Sequence, residues 1–194
     1  MPRAVIVGAG PAGIAAAEIL SRADVDVALV DEGRRPGGQI HRAPANGLAL
    51  DMRRVLGGGF SEYEAFHAQA AAVVARVDYR PETLVWSVHG GVAHIASATS
   101  VGSLVYDVLL LATGATDRVA PAPGWTLPGV FALGGAQALL KDQGCLIGRR
   151  IAFVGSSPLL YLAALQALRV GGDVAAVVDT SRFIEKVRAL PAMA

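Results

Sequence analysis

The chain has 194 residues, 53% of them hydrophobic and 17% charged, with a formal net charge of +1. So apolar and weakly charged a chain is excluded from the disordered class, and at about 100–200 residues per domain it has the length for one domain or two small ones. With Cys145 its single cysteine, it cannot carry an internal disulfide framework. Basic residues run no longer than the pairs Arg34-Arg35, Arg53-Arg54 and Arg149-Arg150, with acids scattered among them, so nucleic acid and anionic membranes are not expected as partners.

The amino terminus carries the clearest pattern. Ala4-Val5-Ile6-Val7 reads as a strand buried on both faces of a parallel sheet. Gly8-Ala9-Gly10-Pro11-Ala12-Gly13 follows, then an Ala-rich helix from Ile14 to Ser21 and a second buried strand from Val25 to Val30. The acids Asp31 and Glu32 stand at its tip, with Asp31 23 positions after Gly8. Gly8 permits the tight turn, Gly10 the approach of a pyrophosphate, and Gly13 the close packing of helix on strand. Pro11 and Ala12 belong to the first helical turn, where the missing proline N–H costs nothing and the exposed N–H groups favour phosphate. Asp31 is the expected acceptor for ribose hydroxyls, with Glu32 the alternative if the register differs by one. Val5 to Leu20 superficially resembles an export signal, but its glycines and proline suit a strand–turn–helix better. The apolar run Leu104 to Ala112 falls short of the ~20 residues that span a bilayer, so a cytoplasmic protein without a membrane span is expected.

Farther along, Ser61-Glu62-Tyr63-Glu64 has capping-box spacing and predicts a helix to about Arg76. Thr83 to His89 and Val92 to Ala98 predict a hairpin turning at Gly90-Gly91, followed by a turn at Gly102-Ser103 and one strand from Leu104 to Ala112. Residues 121–129 hold three prolines and two glycines and read as a stiff connection. The opening pattern then repeats. A strand at 149–154 leads to Gly155-Ser156-Ser157-Pro158-Leu159-Leu160, a helix to about Arg169, and a strand Val174 to Val178 ending at Asp179. Ser157 stands in place of Gly10 and Leu160 in place of Gly13, so this second fingerprint is degraded.

Val7 to Gly13, Asp31-Glu32 and Pro36-Gly37-Gly38-Gln39-Ile40 resemble the start of a flavoprotein with two dinucleotide-binding domains. Residues 106–115 resemble the second signature of that superfamily, the FAD/NAD(P)-dependent, pyridine nucleotide-disulfide-type oxidoreductases. The stretch from Pro123 to Leu140 is similar to FAD-binding subunits of opine oxidase, proline or hydroxyproline dehydrogenase and hydrogen cyanide synthase. The resemblance implies an α/β fold: a Rossmann-like FAD-binding domain with an antiparallel excursion at 1–116, a linker at 117–131, and a partial second Rossmann-like unit at 132–194. It implies that Gly8, Gly10, Gly13 and Asp31 hold the ADP half of FAD, that Gly37, Gly38 and Gln39 line the pyrophosphate or flavin side, and that Thr113 and Gly114 close over the cofactor. In the second unit Gly155 and Asp179 would bind NAD(H), with NADP admitted by Arg182. The catalytic partner would be another polypeptide of a heteromeric dehydrogenase acting on a small molecule.

Only fifteen residues follow Asp179, with one helix expected over Arg182 to Leu190, so the sequence resembles an amino-terminal portion of such a protein. No side chain stands out as catalytic, because in this chemistry the flavin carries the redox step. Cys145 lacks a partner for a redox disulfide, and the four histidines lack metal-ligand spacing; His41, just after the glycine pair, is the one placed to lie near a flavin. The alternative readings are a nucleotide-binding assembly subunit without turnover and a truncated remnant.

Overall fold

The structure, a computed structural model, describes residues 1–119 and 121–181. In chain order its elements are β1 (Arg3–Val7), α1 (Pro11–Ser21), β2 (Asp26–Val30), α2 (Met52–Leu56), a 3-10 turn (Gly57–Gly59), α3 (Phe60–Val74), β3 (Asp78–Arg80), β4 (Thr83–His89), β5 (Val92–Ser97), β6 (Val101–Val105), β7 (Val108–Leu111), α4 (Leu133–Gln143), β8 (Arg150–Gly155), α5 (Leu159–Arg169) and β9 (Asp173–Asp179). They form two compact units. One comprises Met1–Ala43 and Gly58–Thr116; the other comprises Pro44–Gly57 and the chain from Asp117 onward. The segment 44–57 thus groups with the second unit.

In the first unit a parallel sheet runs in the order β3-β2-β1-β7. The apolar runs of β1 and β2 follow from burial on both faces. Ile6 and Leu29 point to one side, where Ile14 and Ala17 of α1 and Phe66, Ala70 and Val73 of α3 cover them. Val5, Ala28 and Val30 point to the other, where Ala93, Ile95 and Leu104 of the antiparallel sheet β4-β5-β6 cover them. Each of the large side chains buried here contributes about 1.5–3 kcal/mol. The outcome is the expected α/β unit with an antiparallel excursion.

Three local expectations are corrected. The run predicted as one strand from Leu104 to Ala112 is two strands in two sheets, β6 and β7. The break falls at Tyr106-Asp107, where the Tyr106 N–H donates to the Gly91 carbonyl and Asp107 exchanges hydrogen bonds with the Arg3 backbone. The turn placed at Gly102-Ser103 lies inside β6. The actual reversal is closed by Ser97, whose hydroxyl accepts the Ser100 N–H at 3.1 Å while its own N–H donates to the Ser100 carbonyl. Finally, α3 starts at Phe60 behind Gly59, with no side-chain cap, so Ser61 is not its cap. The preceding turn Gly57–Gly59 is already wound helically and delivers the chain into α3 without one.

In the second unit β8 and β9 pair in parallel, and Ile151 and Phe153 pack on Leu160, Ala163, Ala164 and Ala167 of α5. This is a strand–turn–helix–strand unit of the same build as the first. Segment 44–57 is tied in by main-chain carbonyls: the Ala45 N–H donates to the Asp142 carbonyl, and Arg169 donates to the Leu56 carbonyl at 2.8 Å. The helix expected over Arg182 to Leu190 lies outside the described residues, as does Arg182 itself.

Candidate nucleotide-binding site

The carboxyl ends of β1, β2 and β7 come together at one edge of the first unit's sheet. Open α/β sheets place ligands in this crevice. Gly8 leaves β1 with φ +107°. A side chain there would strike the carbonyl of Ala112, just beyond β7, and its N–H donates to the Val30 carbonyl at 2.7 Å. Gly13 lies so close to Gly8 that any Cβ would overlap the Gly8 carbonyl. Helix α1 is thereby pressed against the strand with its amino-terminal end at the sheet edge. Its cap, Gly10, has no side chain to close that end, and Pro11 opens the first turn. First-turn N–H groups and the helix dipole there are suited to phosphate.

A second glycine pair covers the first. Gly37, buried and at φ +144°, donates its N–H to the Ala9 carbonyl at 3.0 Å. Gly38 then faces Gly10: a Cβ on Gly38 would come within 3.1 Å of the Gly10 Cα. Only a glycine there leaves the passage over Gly10 open. Gln39 is exposed beside it, and Arg42 reaches its side chain at 3.4 Å. Thr113 and Gly114 follow Ala112 and are exposed on the β7 side of the loop.

The acids at the tip of β2 differ in their surroundings. The Asp31 carboxylate accepts the Ala9 N–H on one oxygen and the Gly33 N–H, at 2.6 Å, on the other. Glu32 is exposed. Nearby, burial and the Asp31 charge both push the Tyr79 hydroxyl well above the usual tyrosine range.

The second unit brings its predicted residues together as well: Gly155 and Asp179 are register partners at the carboxyl ends of β8 and β9. Their surroundings differ from those of the first site. Leu160 stands at the sequence position matching Gly13, and its Cδ1 lies 3.5 Å from where a Gly155 Cβ would be. Ser157 accepts the Leu159 N–H through its hydroxyl. Asp179 accepts hydrogen bonds from the Tyr161 hydroxyl at 2.5 Å and from Ser181.

Helix α3, predicted as a helix from the sequence but given no part in the site, also reaches the glycine turn. Its Phe66 and His67 both contact His41, the residue that closes the glycine turn, and no spacing rule relates positions 41, 66 and 67. Among the described residues no cluster of His, Cys, Asp or Glu could hold a metal ion, and no helix is long and apolar enough to cross a membrane.

The sequence profile of the pyridine nucleotide-disulphide oxidoreductases matches residues 2–193. The chain belongs to this family. Within it, an opine oxidase subunit of Agrobacterium tumefaciens (strain Ach5) is 37% identical over 187 residues, an alignment covering 92% of this chain and 37% of the relative. Hydrogen cyanide synthase subunit HcnB of Pseudomonas aeruginosa is 37% identical over 183 residues, covering 93% of this chain and 39% of HcnB. The chain therefore spans well under half the length of these curated relatives. Among solved structures, L-proline dehydrogenase from P. horikoshii superposes with a TM-score of 0.72 at 23% identity, covering 93% of this chain and 36% of that one. A water-forming NADH oxidase from Lactobacillus brevis, bound to NADH, gives 0.62 at 17%, covering 92% and 40%. These likenesses place the fold among those of the family.

Proposed function

We propose that the chain is the FAD-binding part of an oxidoreductase subunit of the amino-acid or opine dehydrogenase type. It passes electrons between the flavin and an acceptor in the cytoplasm, while a partner subunit oxidises the small-molecule substrate. The observation that carries this reading is the interlock of Gly8 with Gly13, which presents an uncapped helix start, together with Gly38 kept bare opposite Gly10. That cradle fits a pyrophosphate lying between two backbones. Support for a multi-subunit enzyme comes from the relatives, which are named as subunits of opine oxidase and hydrogen cyanide synthase.

When bound, FAD supplies the two-electron chemistry; this chain binds and orients it. Gly10, Ala12 and Gly13 would present backbone to the two phosphates, with Pro11 fixing the first turn and Gly8 the bend. Glu32 would accept the ribose hydroxyls, and Asp31, whose oxygens already hold Ala9 and Gly33, keeps the loop in shape. Gly37, Gly38 and Gln39 would line the pyrophosphate or flavin side, and Thr113 and Gly114 would close over the cofactor. In the second unit Gly155 and Asp179 would receive NAD(P), where the nucleotide must share Asp179 with Tyr161 and Ser181.

The test is the visible spectrum of the purified chain, followed by anaerobic addition of NADH or a redox dye. A yellow protein that bleaches supports the reading. Bound flavin that never bleaches turns it into a nucleotide-holding assembly subunit, and a colourless product removes the cofactor assignment.

A further inference from the structure

Helix α3 grips the glycine turn at His41. The His41 ring stacks on Phe66, centroids 4.5 Å apart and planes at 14°. The His41 carbonyl is 2.9 Å from His67 Nε2. Because that acceptor is a carbonyl, Nε2 carries the proton and donates. The His67 ring is held in turn by Tyr63, 4.3 Å away and nearly edge-on.

From His41 a chain of main-chain hydrogen bonds leads to the phosphate loop. The His41 N–H donates to the Gly37 carbonyl and the Gly37 N–H to the Ala9 carbonyl, each at 3.0 Å. The Ala9 N–H donates to Asp31. The His41 carbonyl also lies directly against the Gly37 α-carbon, where a Cβ would collide with it. The position of that carbonyl therefore fixes Gly37, and with it Gly38, the residue opposite Gly10. A binding constellation must be held to about 0.5 Å by supporting groups that are themselves locked. His67 is such a group, and it reaches the loop from a different element than those that form the loop.

We propose that His67 is a positioning residue. By donating to the His41 carbonyl it fixes the Gly37-Gly38 turn over the phosphate loop and so sets the affinity for FAD. It acts through His41 and needs no contact with the cofactor. The inference rests on the FAD reading above.

The experiment uses the full chain and two substitutions. His67→Gln keeps a side-chain donor; His67→Phe keeps an aromatic ring against Tyr63 and removes the donor. FAD is titrated into each apoprotein and the dissociation constant is read from flavin fluorescence. One lost hydrogen bond to a carbonyl predicts about tenfold weaker binding for His67→Phe, with His67→Gln within about threefold of the unaltered chain. Amide exchange at Gly37, whose buried N–H donates to the Ala9 carbonyl, should quicken in His67→Phe alone. Equal affinity in all three proteins overturns the inference, as does equal weakening in both variants, which would make the imidazole shape rather than its proton the determinant. If His67→Phe does not fold, His67→Met removes the donor in its place under the same criteria. An unaltered chain that takes up no FAD refutes the cofactor reading itself, a result distinct from tight binding indifferent to residue 67.

Discussion

The carboxylate of Asp31 accepts the backbone N–H of Ala9, joining the tip of β2 to the middle of the glycine loop that leaves β1. Its second oxygen holds Gly33, so the acid that ends the strand organises backbone on both sides of the sheet edge. Glu32, one residue on, is exposed.

Asp31→Ala should therefore lower the stability of the apoprotein by about 1–3 kcal/mol, because two backbone donors lose their acceptor in a half-buried place. Glu32→Gln should leave the urea midpoint unchanged and weaken FAD binding several-fold. If the two variants exchange these phenotypes, the division of labour between the acids is reversed.

The glycines of the loop separate in the same way. A Cβ at Gly10 would find its nearest atom, the Gly38 α-carbon, at 3.8 Å, an ordinary contact. Gly10→Ala should fold like the parent and Gly10→Val should lose FAD, since the added methyls stand in the pyrophosphate path. Gly13→Ala should instead destabilise the apoprotein by at least the ~1–3 kcal/mol typical of overpacking, since the Gly8 carbonyl cannot retreat. Thermal melts with and without FAD distinguish the two.

Acid should loosen the first unit through His67. Burial, and secondarily the Arg35 charge, hold its pKa below the ordinary histidine value, against the opposing effect of the His41 carbonyl. The unfolded chain then binds the proton more readily, so stability is fully present above about pH 6.5. It falls as pH drops from there and levels off below the depressed folded value. Urea midpoints at pH 7.5 and 5.0 should differ less in His67→Gln than in the parent.

Arg169 at the end of α5 donates to the carbonyls of Val55 and Leu56, and Arg54 donates to the Arg169 carbonyl. These bonds satisfy the last carbonyls of the short helix α2, which cannot hold itself together in isolation. Arg169→Met should leave the β8–α5–β9 core folded while opening segment 44–57 to limited proteolysis. Unchanged cleavage there would mean that other contacts hold the segment.

The order strand, glycine bend, helix, strand was legible at both ends of the chain because each piece is a local pattern. Continuous apolar runs mark strands buried on both faces, and Gly8 and Gly13 mark a place where backbones must meet. The hairpin at Gly90-Gly91 was legible for the same reason: both residues take positive φ in a two-residue turn. Patterns of apolarity could not show that Leu104 to Ala112 serves two sheets. The switch is made by hydrogen bonds from Tyr106 to Gly91 and from Asp107 to Arg3, partners far away in sequence.

The site divides along the same line. The glycine bend after β1 and the acids at the tip of β2 were legible in the sequence because they are residue types at short spacing, whereas the second glycine pair stood out only through the family resemblance. Tertiary structure alone decided that Asp31 clamps the loop, that Asp179 is already engaged by Tyr161, and that α3 holds the glycine turn through His41. Those roles depend on which donor meets which acceptor across the fold, and a hydrogen bond between distant residues leaves no periodic trace in the chain.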